Sequence, residues 1–135
     1  NPALWPKGTS DRALARSAAS IMHSGFPNLR NDAPMNIRRR TDAGRMTPAG
    51  LDDAAKVDEL WSGWLKRSGG PFLFGEYSVA DAMYAPVITR FVTYAIPRSA
   101  EAQGYIDRMV AEPHMAAWIA AAEKETRTLP RSDIA

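Results

Sequence analysis

The chain contains no cysteine. Disulfides, thiolate metal sites and a thiol nucleophile are therefore excluded within it, and a reducing, cytoplasmic setting is expected. Histidine is nearly absent too. His23 and His114 are far apart in sequence and show no HExxH spacing, so no metal site is expected. No uncharged apolar run approaches the roughly 18 residues that a membrane-spanning helix needs. The opening residues show no secretory pattern. An excess of one charge is missing as well, since 17 Lys and Arg stand against 15 Asp and Glu, for a net +2. That is too mild for the basic footprint of a nucleic-acid binder, so neither nucleic acid nor membrane is expected as a partner. There is no strand alternation, internal repeat, glycine-rich phosphate loop or Ser/His/Asp order in a supporting context.

What remains is 135 residues, 45 % hydrophobic and 24 % charged. That suffices for one domain with a sizeable core. The chain opens on Asn1-Pro2 without an initiator Met, so a piece of a longer protein is expected. Residues 1–8, "NPALWPKG", read as an irregular lead-in with Trp5 packed on a neighbour. Residues 9–135 read as one helical domain.

Helical periodicity runs through that domain. A first helix, capped by Thr9 or Ser10, carries Leu14, Ser17, Ile21, Gly25, Phe26 and Leu29 on one stripe, widened by Ala18 and Met22. Pro27 should bend it or loosen its last turn. Residues 31–46 show no period and read as a long connection. Thr47-Pro48 starts a second helix, with Leu51, Ala54, Val57, Leu60, Trp61, Trp64 and Leu65 facing inward. Asp52 and Asp53 suit its positive end, and Gly69-Gly70-Pro71 stops it. From Val79 to Ile96 the sequence is apolar almost all round, as in a helix at the centre of a bundle. Two further helices are expected over 99–111 and 113–126. The tail "LPRSDIA" is expected to be ordered only if it docks. The fold class is all-α, about five helices around one buried helix.

Asp81 stands one turn into the apolar run. With Ser78 it forms a capping box: the hydroxyl accepts from the Asp81 amide, and the carboxylate reaches back to the Ser78 amide at the positive helix end. A structural rather than catalytic acid is predicted.

Those residues also carry a resemblance. "GEYSVAD", residues 75–81, resembles the Gly-x-x-Ser/Thr-x-Ala-Asp signature that opens the core helix of the glutathione S-transferase C-terminal domain. Residues 15–30, "ARSAASIMHSGFPNLR", resemble that domain's first helix, and 111–123, "AEPHMAAWIAAAE", its late Pro-x-x-x-x-W helix. The resemblance implies a thioredoxin-like N-terminal domain, absent from this sequence, that binds glutathione and supplies the thiol-activating Tyr, Ser or Cys. It implies a homodimer, an electrophilic small-molecule substrate and a detoxifying role, and no conjugating activity in this chain alone.

"IMHSGF" is similar to the Leu-His-Lys-Gly-Phe run of bacterial beta-class transferases. The similarity makes His23 a cleft residue with an auxiliary proton role, or else a surface His at a helix edge. By the same resemblance the electrophile pocket takes in Met22, His23, Phe26, Met35, Arg38, Arg90 and Tyr94. Arg90 is the most pointed of these, since a charge inside an apolar helix needs a partner; a substrate carboxylate or a nearby Asp would serve. The run "IRRRTDAGR" carries four Arg against one Asp and reads as a solvated loop face. The competing class is a non-catalytic interaction module, since similar helical domains assemble translation factors and aminoacyl-tRNA synthetases.

Overall fold

The computed structural model describes residues 4–130; the last five residues of the expected tail and the first three of the lead-in lie outside them. Six α-helices follow in order: α1 Thr9–Ser24, α2 Pro27–Asp32, α3 Pro48–Ser68, α4 Val79–Thr93, α5 Ala100–Ala111 and α6 Pro113–Lys124. Helix α4 packs on α1 and α5, α2 packs on α3, and α5 also packs on α3 and α6. No strand forms among the described residues; an isolated bridge pairs Phe72 with Gly75. No helix there is long and apolar enough to cross a membrane.

The core is centred on Trp61 of α3, which is fully buried. Its ring lies 5.7 Å from Tyr84, 5.2 Å from Phe91 and 5.2 Å from Tyr105, joining α3, α4 and α5 in one aromatic cluster. Helix α4 buries Ala80, Tyr84, Val87, Ile88 and Phe91, as its all-round apolar sequence requires. Trp5 is half-buried against this core, with the Arg16 guanidinium 5.7 Å over its ring.

The first expected helix is two. Phe26 takes a left-handed conformation, φ 58° and ψ 46°, which ends α1 at Gly25 and lets Pro27 open α2 at the position where its missing N–H costs nothing. The sixth helix arises here. Neither Thr9 nor Ser10 caps α1; Gly8 stands at that position and accepts from the Arg12 amide through its carbonyl. The inward stripe of α1 also lies one step over. Ala15 and Ala18 are buried and Met22 half-buried, while Ser17 and Ile21 are exposed, because close packing on α4 selects the small side chains.

Helix α4 ends three residues before Ile96. Pro97 disfavours helical backbone at Ile96, so the chain turns at Ala95, φ 46°, and the Ile96 amide closes back on the Phe91 carbonyl at 3.1 Å. This is a Schellman turn with alanine where glycine is usual.

Candidate functional site

The acid at the start of α4 is wholly committed inside the protein. Asp81 is 0 % exposed. One carboxylate oxygen accepts from the Ser78 amide at 2.9 Å and the Ser78 hydroxyl at 3.0 Å. The other accepts from the Leu73 amide at 3.0 Å and the Tyr105 hydroxyl at 3.0 Å. The Ser78 hydroxyl in turn caps the helix through the Ala80 amide, 3.3 Å away. Burial pushes the Asp81 carboxyl above its ordinary value, and these four donors pull it part of the way back. Burial and the adjacent Asp81 charge push the Tyr105 hydroxyl well above the ordinary tyrosine value. Gly75 supplies the turn before the cap, at φ +99°, which L side chains rarely adopt. Asp81 joins the loop 72–75, the cap and α5, and is sealed from any substrate.

The far end of α4 does a related job. Arg90 donates through Nε to the Ala33 carbonyl at 2.9 Å and through Nη1 to the Pro86 carbonyl at 2.9 Å. Thr93 donates to the Asn36 carbonyl and Tyr94 to the Pro34 carbonyl, each at 2.8 Å. The Thr41 amide returns a bond of 2.8 Å to the Thr93 carbonyl. Four bonds therefore fasten the unperiodic connection onto the end of α4. Arg90 finds carbonyl partners here rather than a carboxylate. Burial and neighbouring Arg30 lower its guanidinium from the ordinary value, and burial raises the Tyr94 hydroxyl.

The pocket residues expected from sequence occupy different environments around this end. Tyr94 is fully buried and Phe26 nearly so, which makes them supports; Met22 is half-buried on the core. His23 is exposed, and its carbonyl, with those of Met22 and Gly25, accepts from the Arg30 guanidinium. Met35 and Arg38 open together onto a groove of about 390 Å³, whose opposite wall is Trp118, Ala121 and Ala122 of α6. The segment after α6, through Leu129, closes one side. Arg38 holds that segment by a 2.6 Å bond from Nη1 to the Glu125 carbonyl. Arg127 pairs with the Glu125 carboxylate at 3.0 Å and holds its carboxyl down at about 2. Ile37 lines this groove and an adjoining cavity of about 190 Å³ against Ile88, Val92, Val110 and Ile119. No group of three or more potential metal-binding His, Asp or Glu side chains occurs among the described residues.

Trp118 was not among the expected pocket residues. Its signal is local: a Trp followed at three and four residues by Ala121 and Ala122 leaves a notch on one helix face. Asp53, expected to serve the start of its own helix α3, serves α2 instead, and Asp58 was not singled out at all. Asp53, buried, accepts from the Asn28 and Leu29 amides at the start of α2. Asp58 accepts from the Ser99 amide and hydroxyl, each at 2.6 Å, at the start of α5.

No curated protein matches the chain. The family model for the glutathione S-transferase C-terminal domain matches residues 47–121, more than half of the sequence, from the cap of α3 into α6. With six helices, a buried α4 and the Ser78–Asp81 box in place, this chain belongs to the glutathione S-transferase C-terminal domain family.

Proposed function

We propose that the chain is the helical half of a cytoplasmic glutathione transferase that conjugates glutathione to electrophilic small molecules. A thioredoxin-like domain of the same protein binds glutathione and stabilises its thiolate. The thiolate attacks the electrophilic carbon, a sulfur–carbon bond forms, and the leaving group departs with its electron pair. The helical domain contributes the wall that holds the electrophile, with Met35 and Arg38 touching it and Arg90 and Tyr94 fixing the backbone before them, while Met22, His23 and Phe26 at the end of α1 do not line the groove.

The observation that most supports this reading is the groove at Met35 and Trp118 in a domain of this family. Its lining is mixed, with Met35, Ile37, Trp118 and Leu129 beside Arg38, Glu125 and Arg127, and its volume falls in the range of small-molecule sites. Ile21 on α1 and Leu51 on α3, both expected from spacing to face inward, are exposed and offer apolar surface for a homodimer. One observation favours an interaction module instead: the basic run 37–45 sits on backbone fastened by α4, and so presents a fixed face.

The pocket reading is tested in the two-domain enzyme by Met35→Glu. A charge placed in the groove wall should raise KM for a neutral aromatic electrophile about tenfold or more, with kcat changed far less. An unchanged KM would remove the groove from the substrate path.

A further inference from the structure

We infer that the groove between residues 35–38 and α6 selects small organic acids, compounds with an aromatic or branched apolar body and one carboxylate. The inference rests on the pocket reading for its place in catalysis, but the binding it describes belongs to this chain alone.

Three observations converge. First, apolar exposure is concentrated there. Of the seven large hydrophobic side chains exposed among the described residues, Met35, Trp118 and Leu129 line this single groove. Trp118 is 37 % exposed and Met35 40 %, so a flat apolar body can be covered on two sides. Second, among the described residues the charge on its rim is unbalanced. Arg127 and Glu125 neutralise one another. Arg38 has no carboxylate within ion-pair distance among the described residues; its one hydrogen bond there runs from Nη1 to the Glu125 carbonyl. Its Nε and Nη2 edge is left for a ligand, and a guanidinium edge matches a carboxylate with two parallel bonds. Third, the cation is positioned. The backbone on either side of Arg38 is held to the end of α4 through the Asn36 carbonyl and the Thr41 amide. The bond to Glu125 ties Nη1 to the wall of the groove, so part of the side chain's freedom is already spent before binding. The groove's volume of about 390 Å³ suits a small molecule rather than a peptide segment.

Phenylbutanoate and phenylbutanol differ in the carboxylate and little else. Both are titrated into the 135-residue chain at low salt and followed by amide NMR, without glutathione. Shifts are expected at residues 35–38 and 118–129. The acid should bind about fivefold tighter than the alcohol, a preference that shrinks as salt is added. Arg38→Gln should erase the preference, and Arg38→Lys should keep part of it. Met35→Glu should repel the acid more than the alcohol, and gives a second route if Arg38→Gln disturbs the fold, which the same spectra report. Equal affinity for acid and alcohol, binding by neither, shifts confined to another face, or a preference that survives Arg38→Gln would each overturn the inference. Failure of the transferase reading would show as absent turnover in the two-domain protein, which this titration does not involve.

Discussion

Tyr84 and Tyr105 show what a single buried hydroxyl is worth in this core. Both rings touch Trp61 and both side chains are fully buried. The Tyr105 hydroxyl donates to Asp81, while the Tyr84 hydroxyl has no hydrogen-bond partner among the described residues. Tyr105→Phe should therefore cost about 1–3 kcal/mol, since it strips a donor from a buried carboxylate. Tyr84→Phe should be neutral or slightly stabilising, within about 0.5 kcal/mol, because it removes a desolvated group that gains little. Urea unfolding of the two variants measures both. Asp81→Ala should be worse than either, about 3 kcal/mol or more, because the Leu73 and Ser78 amides and the Tyr105 hydroxyl all lose their acceptor. Burial raises the Asp81 carboxyl in the folded state above its ordinary 3.8. The folded protein then holds that proton more tightly than the unfolded chain does. The resulting stabilisation is full below pH 3.8 and fades as pH rises through the raised value. The stability gap between wild type and Asp81→Asn should accordingly widen on acidification from pH about 7 to about 4. A narrowing gap would mean that the four donors outweigh burial.

At the scale of elements, carboxylates and helix starts recur together. Asp81 serves α4, Asp53 serves α2 and Asp58 serves the Ser99 cap of α5. Asp32, at the end of α2, accepts from the Thr47 amide and hydroxyl at the cap of α3. Gly50 allows that approach, because a Cβ there would lie 2.2 Å from the Asp32 oxygen. Helices α2 and α3 are thus tied in both directions, the start of each donating amide bonds to the other's acid. Ala95, by contrast, is an avoidable strain: it is exposed, holds φ 46° and ends α4. Ala95→Gly should stabilise the protein by about 1 kcal/mol and raise Tm by a few degrees, measured by thermal unfolding. A fall in Tm would mean that the Schellman turn is not limiting there. The helices themselves were legible from periodicity and punctuation, with Thr47-Pro48, Gly69 and Ser99 marking their ends as expected. The break at Phe26 was legible in part: Pro27 marked a bend there, but an aromatic residue in a left-handed conformation has no local signature, so the full break was not. The one-step shift of the α1 stripe has a similar cause. Alanines read weakly as core, yet Ala15 and Ala18 are what α4 admits.

At the scale of the whole molecule, scaffold and pocket occupy different places. The Ser78–Asp81 box was readable because its partners lie within four positions in the sequence. The groove was readable only in part. Met35 and Arg38 came from the resemblance, but Trp118 lies some eighty positions away and meets them only after the connection is fastened to α4. Arg90, which looked like a charge awaiting a substrate, is used in that fastening. Under the proposed function this chain shapes the pocket and glutathione is activated elsewhere. The most direct test measures conjugation of glutathione to a chloronitrobenzene by the purified chain and, in parallel, by the chain joined to the thioredoxin-like domain proposed for it. Turnover above the uncatalysed rate is predicted for the two-domain protein and none for the chain alone. Turnover by the chain alone would contradict the account, and inactivity of both would favour the interaction module.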